Sequence, residues 1–472
     1  MNALVLLSIL WGQLQPGPHA AGYTRWDRYD YSRPYRTAKT LDGKPRGGER
    51  ARPIAISIWY PAQPSSAKPL TFGDYLGDEE AAVFGLQGLA PLSAEQRAKL
   101  KAMPSRAVRD AKPVRGKFPL ILYSLGSPSP AHVTPEFLAS HGYVVVQAPR
   151  LGATAGFPPD NRDALDLDTK LRDMDFVLNA MKDFPQADLA NIGAVGFSAG
   201  GRWALAAAMK SADVHAVVSL DSVMLYDDPV AAAWRNMPHF NLDAVRAPIL
   251  HLTSATFAKN DDPKMWDALR HADRTKLVYD DPVLTHWDFQ SLGYATALAG
   301  ARGENAEKIA NAFHSWNRET LAFLDANLKG GTYKTPANAT HIAALPAPIS
   351  ITEFMNALGE EGVDAAIAAY RAAWKSEPPV AEAAVNVAGY NLLFGGRAQD
   401  ALKILALNAE AWPDSANTLD SLADAYAFTG DRARALELTK KANEVLAKET
   451  GLTPERRAAI QGNIDAKLKT LQ

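Results

Sequence analysis

The chain contains no cysteine, and this absence removes several kinds of site at once. Without thiols there is no cysteine nucleophile, no thiolate metal site and no disulfide. Apart from one short run at the amino terminus, no apolar stretch approaches the length of a membrane-spanning helix. The net charge of −2 gives no general affinity for nucleic acid or for an anionic membrane. No metal-ligand cluster and no Gly-rich phosphate loop stands out, so the sequence predicts neither a metal nor another cofactor.

The overall composition is that of an ordinary globular protein. Hydrophobic residues make up 47% of the 472 positions and charged residues 22%, as is typical of soluble folded chains. Because single hydrophobic cores stop growing at about 250–300 residues, we expect more than one domain.

The amino terminus carries the one short apolar run. Residues 3–11 read ALVLLSILW, and two prolines and the small residues Ala20, Ala21 and Gly22 follow. The run is too short to span a bilayer, and the pattern is typical of a secretory signal peptide. We therefore expect residues 1–21 to be cleaved near Ala20 or Ala21, which predicts a periplasmic or secreted protein without an integral membrane segment. No Lys or Arg precedes the run, and a buried first strand is the alternative.

The most informative stretch is Ile192–Trp203, which reads IGAVGFSAGGRW. An apolar strand pattern leads into the pentapeptide G-F-S-A-G, and a helical pattern follows at once. A serine at the apex of such a turn has a strained backbone, so the positions two residues away must be nearly free of side chain. The helix directs its N–H groups towards an oxyanion that forms beside the serine. We interpret the motif as a nucleophile elbow with Ser198 as nucleophile; a chance match in a structural turn is the alternative.

Strand and helix patterns alternate on both sides of this elbow. The predicted strands are 54–60, 120–123, 143–148, 192–195, 216–220, 248–253 and 276–279, and the predicted helices are 135–141, 162–181 and 305–328. Continuous apolar runs separated by helices indicate a mostly parallel sheet that is covered by helices on both faces. An earlier stretch in which Tyr29 and Tyr31 alternate adds a strand to an antiparallel lead-in. The predicted fold of residues 22–335 is therefore an α/β-hydrolase domain.

One region of this domain, residues 63–118, shows no clear strand. It contains a helix start, because Ser93 can cap a helix and Gln96 follows three residues later. We interpret the region as an insertion near the mouth of the site; the sequence leaves open whether it forms a lid.

After a linker at 336–350 the pattern changes to helices alone. Gly362, Gly396 and Gly430 follow one another at intervals of 34 residues. A helix–turn–helix period of this length is that of tetratricopeptide repeats. Residues 351–472 are therefore predicted to form imperfect repeats with a final capping helix, and one irregular helical bundle is the alternative.

A serine nucleophile needs a base, and the base needs a carboxylate that orients it. In α/β-hydrolases the acid and then the histidine follow the serine along the chain. His286 is predicted as the base because it lies in a loop, LTHWDF, directly after the last predicted strand. Two positions stay open for the acid: Asp221 ends the strand after the elbow, and Asp261 or Asp262 follows the next strand.

Four other histidines are less well placed to serve as the base. His251 lies inside an apolar strand and is expected to be a core residue, and His314 lies in the closing helix. His132 and His141 precede the serine, which is the wrong side for this order.

Several motifs together resemble one branch of this fold. They are WYPA at 59–62, PLILYSLG before LASHGYVV, GFSAGG, SLDS and THWDF. With them the chain from about residue 50 to residue 330 resembles the platelet-activating-factor acetylhydrolase branch of the α/β-hydrolases, and it is also similar to dienelactone hydrolase-like esterases. The resemblance implies that Ser198, Asp221 and His286 form a catalytic triad. The dienelactone relatives use a cysteine nucleophile, so their particular chemistry is not implied.

The loop that should complete the oxyanion hole departs from the family pattern. Where relatives usually have S-H-G-L-G, this chain has SLGSPSP at 124–130. Because proline has no N–H, a donor from this loop must belong to Leu125, Gly126, Ser127 or Ser129. Alignment without gaps favours Ser127, and Ala199, directly after the nucleophile, is the second predicted donor.

The resemblance implies a serine carboxylic-ester hydrolase that acts through an acyl-enzyme on small or lipid-like esters. Phe157, Trp203 and Trp287 lie near site loops and are candidates for an apolar pocket, although aromatic residues at such positions are more often core. The alternative is a weak or degenerate hydrolase that serves as a scaffold and binds a protein partner through the helical repeats. The altered oxyanion loop favours this alternative, whereas the retained order of serine, acid and histidine favours the enzyme.

Overall fold

The computed structural model describes residues 10–76, 83–86, 88–125, 132–147, 151–155, 164–345, 349–374 and 377–471. The chain divides into two compact units, Met1–Leu345 and Pro346–Gln472.

The first unit contains both strands and helices. Its strands are β1 (Ala20–Pro34), β2 (Ala51–Ala62), β3 (Val108–Arg109), β4 (Phe118–Leu125), β5 (Val144–Gln147), β6 (Ala187–Phe197), β7 (Val214–Leu220), β8 (Ile249–Ser254), β9 (Arg274–Tyr279) and β10 (Thr340–Ile342). Its helices are α1 (Phe72–Leu76), α2 (Ala94–Ala102), α3 (Val133–Ser140), α4 (Ala164–Ala180), α5 (Gly200–Lys210), α6 (Pro229–Arg235), α7 (Ala255–Ala258), α8 (Pro263–Ala268), α9 (Ser291–Leu298) and α10 (Ala306–Leu328).

The described strands form one sheet in the order β10-β9-β8-β7-β6-β4-β5-β2-β1-β3. From β5 through β4, β6, β7 and β8 to β9 every neighbouring pair is parallel. Strand β2 pairs antiparallel with both β1 and β5, which gives the antiparallel lead-in that the early strand patterns indicate. The fold is therefore that of an α/β-hydrolase, as predicted.

Helices cover the sheet on both faces, and strand β4 shows why its apolar run is continuous. Ile121 and Tyr123 belong to one buried cluster, together with side chains of α3 and α10. Leu120 and Leu122 belong to the other cluster, together with side chains of α4 and α5. Because successive side chains of a strand point to opposite faces, a strand buried on both sides has no polar face.

The insertion at 63–118 contains the expected helix α2. Ser93 Oγ accepts a hydrogen bond from Gln96 N at 3.1 Å, and Gln96 Oε1 accepts one from Ser93 N at 2.9 Å. This capping box confirms the helix start that the sequence indicates. The region is not free of strands, however, because the two residues of β3 pair in parallel with β1. A strand of two residues carries no periodicity that a sequence could show.

Strand β10 lies inside the segment that was predicted to be a linker. It pairs antiparallel with β9 and extends the sheet by one edge strand. Ala344 N then donates to Asp273 Oδ1 at 2.8 Å, and Leu345 N donates to Arg270 O at 2.7 Å. These contacts attach the end of the first unit to its sheet.

Residues 10–20, within the predicted signal peptide, pack into the first unit. Leu10, Trp11 and Leu14 are buried, and Trp11 Nε1 donates a hydrogen bond to Glu136 Oε2 at 2.8 Å. Residues 1–9 lie outside the described part of the chain. Such packing is expected if residues 10–20 are not cleaved from the chain. Cleavage near Ala20 or Ala21 therefore stays a prediction.

The second unit is helical throughout its described residues. Its helices are α11 (Ile351–Asn356), α12 (Val363–Ala373), α13 (Glu382–Phe394), α14 (Ala398–Ala411), α15 (Ala416–Phe428), α16 (Arg432–Leu446) and α17 (Pro454–Leu471), and a π-helical turn at 357–361 follows α11. Helices α15 and α16 begin 34 residues after α13 and α14, the interval between Gly396 and Gly430. Both glycines have positive φ at the turn inside their helix pair. No helix in the described part of either unit is both long and apolar enough to cross a bilayer.

A buried ion pair joins the two lead-in strands to helix α4. Asp173 accepts hydrogen bonds from Arg52 Nε and Nη2, each at 2.7 Å, and from Arg33 Nη2 at 2.8 Å. Arg52 also donates to the carbonyl oxygens of Leu151 and Gly152, each at 2.9 Å. The buried charges are therefore paired and hydrogen-bonded, which is the condition under which a protein tolerates them.

We expect Asp173→Asn to lower the free energy of unfolding by about 3–5 kcal/mol, because it leaves buried guanidinium charge without a counter-charge. Urea denaturation measures the loss. Asp175→Asn on the same helix is the matched control, because the partly exposed pair of Asp175 with Lys210 should contribute less than about 1 kcal/mol. Equal losses in the two variants would contradict a special role for the buried pair.

Candidate active site

Ser198 lies on the turn between β6 and α5. Its φ is 57°, a left-handed conformation that residues with a side chain rarely adopt. The turn leaves no space beside it: a Cβ on Gly200 would collide with the carbonyl oxygen of Ser124, and one on Gly196 would collide with the backbone of Gly200. The glycine spacing in the sequence is therefore required by these backbone approaches.

Asp221 follows β7 and lies beside this elbow. Its φ of 41° is also left-handed. Ser198 N donates to Leu220 O and Val223 N donates to Ser198 O, each at 3.2 Å. The turn that carries the serine and the turn that carries the aspartate are thus bonded directly to each other.

The aspartate holds His286. His286 Nδ1 lies 2.8 Å from Asp221 Oδ2, while Asp221 Oδ1 accepts hydrogen bonds from Ser254 N at 2.6 Å and from Thr253 Oγ1 at 3.1 Å. The Asp221 side chain is fully buried, and the His286 side chain is partly exposed. Three donors on one carboxylate satisfy a buried charge and fix the direction in which it faces the imidazole.

Two phenylalanine rings enclose the imidazole of His286. The Phe257 ring stacks on it at 4.2 Å with an interplanar angle of 6°, and the Phe197 ring stacks on it at 4.5 Å and 23°. Because Phe197 directly precedes Ser198, this packing brings the histidine to the elbow. Among the described residues the structure records no hydrogen bond between Ser198 Oγ and His286 Nε2; such bonds often tighten only when substrate binds.

The loop of His286 is held by Asp288, two residues further on. Thr285 N and Thr285 Oγ1 donate to Asp288 Oδ2 at 2.7 and 3.0 Å, and Arg302 Nη1 donates to Asp288 Oδ1 at 3.0 Å. Asp288 is buried. The aspartate of the THWDF motif therefore closes the turn that presents the histidine.

The other two candidate acids have different partners. Asp261 Oδ2 lies 2.5 Å from Lys276 Nζ and 3.3 Å from His251 Nε2. Although burial by itself raises the pKa of Asp261, the hydrogen bonds to His251 and Lys276 and the positive charge of the lysine hold that pKa below its ordinary value. Asp262 caps helix α8 and accepts a hydrogen bond from Lys264 N at 2.9 Å. Neither carboxylate has a recorded bond to the imidazole of His286.

The remaining histidines considered from the sequence lie in packed surroundings. His251 is buried, as expected, and its Nδ1 lies 2.8 Å from Ser219 Oγ. His314 is buried beside Tyr294 OH at 3.2 Å, and burial lowers the pKa of His314 to about 4. Burial likewise lowers the pKa of His132, which stacks on Tyr75, to about 3. These last two imidazoles are therefore neutral at physiological pH.

Of the two predicted oxyanion donors, only Ala199 belongs to the part of the chain that the structure describes. Ala199 is buried at the start of α5, and no turn or loop hydrogen bond of the described residues uses its N–H. Ser127 lies outside the described residues, as does Phe157 of the predicted pocket. Of the other two aromatic candidates, Trp203 is buried in the cluster beneath α5, and Trp287 is buried and tilted against the Phe197 ring.

The sequence analysis missed three residues that contact Asp221 and His286, the predicted acid and base: Thr253, Ser254 and Phe257. They lie at the end of β8 and just after it. Because carboxyl ends of neighbouring parallel strands meet at one edge, polar residues at the end of the strand beside β7 were a usable signal. Within the described ranges, no three His, Asp or Glu side chains are grouped so that they could hold a metal ion.

The sheet order and the strand–turn–helix elbow place the first unit in the class of α/β-hydrolases. A family model described as chlorophyllase matches residues 86–253, which is well under half of the chain and includes Ser198 and Asp221 but not His286. A solved structure of a ferulic acid esterase from Streptomyces cinnamoneus is similar, with a TM-score of 0.49 and 18% identity, over 70% of this chain and 98% of that chain. No protein with a curated description matches the sequence significantly.

The strained backbone of Ser198 gives a prediction about stability. Ser198→Gly should be more stable than Ser198→Ala by about 1 kcal/mol, because glycine adopts the left-handed conformation without steric cost. Urea denaturation of the two variants measures the difference. Ser211 is the matched control, since its φ of −136° is ordinary and glycine there should be less stable than alanine. The same sign of difference at both positions would contradict backbone strain at the elbow.

Proposed function

We propose that the chain is a serine carboxylic-ester hydrolase that acts on small or lipid-like esters through an acyl-enzyme. The observation that carries the proposal is the 2.8 Å contact between His286 Nδ1 and Asp221 Oδ2 beside the strained turn of Ser198. An imidazole that donates its Nδ1–H to a carboxylate keeps Nε2 free as a base. The family-model match over residues 86–253 and the resemblance to the platelet-activating-factor acetylhydrolase branch support an ester as substrate.

In the proposed first half-reaction, Ser198 Oγ forms a bond to the ester carbonyl carbon while His286 Nε2 takes its proton. The electron pair of the carbonyl π bond moves to the oxygen, which Ala199 N–H and a donor from the 124–130 loop stabilise. Ser127 stays the predicted donor in that loop. The pair returns as the bond to the alcohol oxygen breaks, and His286 gives the alcohol its proton.

In the second half-reaction, water replaces the alcohol. His286 takes a proton from the water as its oxygen bonds to the acyl carbon of the acyl-enzyme. Collapse of the new oxyanion breaks the bond to Ser198 Oγ, which receives the proton back. The products are a carboxylic acid and the original enzyme, so no further reactant is needed.

The surroundings of the base support an apolar substrate. The imidazole lies between Phe197 and Phe257, and Trp287 packs against Phe197. Aromatic walls exclude water and strengthen the electrostatic interactions of the reacting groups. They are suited to an acyl or alcohol group with an extended apolar surface.

A serine-reactive fluorophosphonate tests whether Ser198 is an activated nucleophile. We expect intact-mass measurement to show one adduct on the wild-type chain and none on Ser198→Ala, because only a serine with a base beside it reacts quickly. Ser222→Ala, which changes a buried serine close to Gly201 of the elbow helix, is the control and should still be labelled. Absence of an adduct on the wild-type chain would contradict the proposal.

The choice of acid is tested by matched substitutions. Asp221→Asn should lower kcat for an aryl ester by about 10⁴-fold, because an asparagine favours the wrong tautomer of the histidine. Asp261→Asn removes a carboxylate whose partners are Lys276 and His251, and it should leave kcat within about tenfold. The reverse pattern would assign the acid to Asp261.

The second candidate function is that of a scaffold. The observation in its favour is the 34-residue spacing of the helix pairs α13–α14 and α15–α16. Tetratricopeptide-like repeats of this kind present a surface to a protein partner. An unlabelled wild-type chain in the fluorophosphonate experiment favours this function, whereas specific labelling of Ser198 favours the hydrolase.

We also propose export to the periplasm or out of the cell, on the basis of the apolar run at 3–11 and the small residues that follow it. Expressed with its own amino terminus in a Gram-negative host, the chain in the periplasmic extract should have the mass expected after loss of residues up to Ala20 or Ala21. Leu6→Arg with Leu7→Arg interrupts the apolar run and should keep the chain full-length in the cytoplasm. A full-length mass in the periplasmic extract would contradict cleavage and would agree with the packing of Trp11 on Glu136.

A further inference from the structure

Strands β1 and β2 continue into an ordered hairpin, which we call the basic arm and define as residues 35–50. Its two sides are joined by backbone hydrogen bonds from Tyr35 N to Arg50 O at 2.7 Å and from Arg46 N to Ala38 O at 2.9 Å. Near the end of the hairpin, Thr40 N donates to Lys44 O at 2.9 Å. The basic arm is therefore a structured extension of the sheet.

The register of the sheet shows which way the basic arm points. Ser57 of β2 pairs with Gln147 of β5, which is level with Tyr123 of β4 and, through it, with Val195 of β6. Because β2 runs antiparallel to these strands, its residues before Ser57 extend beyond their carboxyl ends. Six residues of extended chain cover about 20 Å. The basic arm thus projects beyond the carboxyl ends of the parallel strands, where the Ser198 turn also lies.

The charge of the basic arm contrasts with that of the whole chain. It contains five Lys or Arg and two Asp or Glu, whereas the chain as a whole has a net charge of −2. Arg36, Lys39 and Arg46 are exposed, and they form no ion pair with a carboxylate in the part of the chain that the structure describes. An excess of unpaired positive charge at one place favours an anionic partner.

The tip of the basic arm adds an apolar group. Gly43 N donates to Thr40 O at 2.9 Å and closes a tight turn with Leu41 inside it. The Leu41 side chain is fully exposed, and Lys39 and Lys44 flank the turn. The Leu41 side chain therefore packs on no described residue of its own unit. Apolar residues between cations are typical of surfaces that enter the interface of a membrane.

Tyrosine side chains continue this surface towards the body of the unit. Tyr29 and Tyr31 stand on the same face of β1, with ring centroids 6.3 Å apart, and both are exposed. Tyrosine is favoured at the boundary between headgroups and acyl chains, because its ring is apolar and its hydroxyl is polar. The exposed groups of the hairpin thus combine cations, tyrosines and an apolar tip.

The base of the arm is fixed. Arg52 at the start of β2 and Arg33 at the end of β1 both bond to the buried Asp173 of α4. Arg33 Nε also lies 2.6 Å from Asp30 Oδ2. A surface that is already ordered loses little conformational entropy when it binds.

We infer that the basic arm docks the first unit onto an anionic lipid surface, with Lys and Arg side chains against phosphate headgroups and Leu41 in the interface. Nucleic acid offers the same phosphate charge but no apolar layer for the exposed leucine, so the tip favours lipid. This inference is independent of the proposed hydrolase activity.

Vesicle co-sedimentation of the full chain tests the inference. The chain should bind vesicles of about one-third phosphatidylglycerol in phosphatidylcholine and should not bind vesicles of phosphatidylcholine alone, and added salt should weaken the binding. Arg36→Glu with Lys39→Glu and Arg46→Glu should lower the partition coefficient at least about tenfold, because each cation near an anionic surface contributes to binding. Equal binding to both vesicle types would overturn the inference.

A control with the same change of charge lies at the opposite ends of the parallel strands. Lys112, Arg115 and Lys117 are exposed just before β4, at the amino ends of the parallel strands. Their replacement by glutamate should leave vesicle binding within about twofold, since the cations on the arm remain in place. Equal losses in the two triple variants would show that net charge, and not the basic arm, determines binding.

The apolar tip is tested separately. Leu41→Ser should weaken vesicle binding several-fold without any change in charge, whereas Val387→Ser, which removes another exposed apolar side chain in the helical unit, should not. Binding of a fluorescent RNA that depends on the three arm cations, with vesicle binding independent of Leu41, would assign the arm to nucleic acid and overturn the inference. Hydrolysis of a soluble aryl ester should be the same in all the arm variants, because the arm is not part of the catalytic machinery.

Discussion

The hydrogen bond from Ser198 N to Leu220 O is the contact on which the rest of the site depends, since it joins the elbow to the end of the neighbouring strand. Both Ser198 and Asp221 have left-handed backbones, and such conformations persist only where the surrounding structure fixes them. Here the fixing groups are backbone groups: Val223 N donates to Ser198 O, and Asp221 N donates to Leu252 O at 2.7 Å. Because these bonds belong to the ends of adjacent parallel strands, the geometry of the site follows from the register of the sheet.

Much of the fold around this site could be predicted from the sequence, because the strands and helix starts depend on local patterns. The runs of β4, β6, β7 and β8 are apolar on both faces, and the capping box at Ser93 and Gln96 lies within four residues. The choice between the candidate acids, by contrast, does not depend on local sequence. Asp221 and Asp261 both follow strands, and only contacts across the sheet distinguish them: one meets His286, and the other meets Lys276. Strand β10 pairs with a strand some sixty residues earlier in the chain, and Trp11 packs on Glu136, 125 residues away. No local pattern records contacts of this range.

The histidine shows how a loop residue acquires a defined position. Asp221 fixes its Nδ1, the rings of Phe197 and Phe257 fix its plane, and Asp288 fixes the turn that carries it. These three constraints come from separate segments, so a shift of one segment is resisted by the others. This arrangement buries the Asp221 carboxylate completely, which removes its hydration. The hydrogen bonds from Thr253 and Ser254 offset that cost. A site on a loop thereby gains the precision usually expected of sites on regular elements.

The same sheet that aligns the elbow also determines where the unit can meet a surface. Strand β2 runs antiparallel to the strands beside it, so the chain before Ser57 leaves the sheet at the strand ends where β6 leads into the Ser198 turn. Asp173 then fixes the direction of that extension through Arg33 and Arg52. A surface bound by the extension consequently lies beyond the same strand ends as the Ser198 turn. The register of β2 therefore sets how the Ser198 turn is oriented when the basic arm binds a lipid surface. For an ester that is poorly soluble in water, the proposed site would then face the surface that contains the substrate.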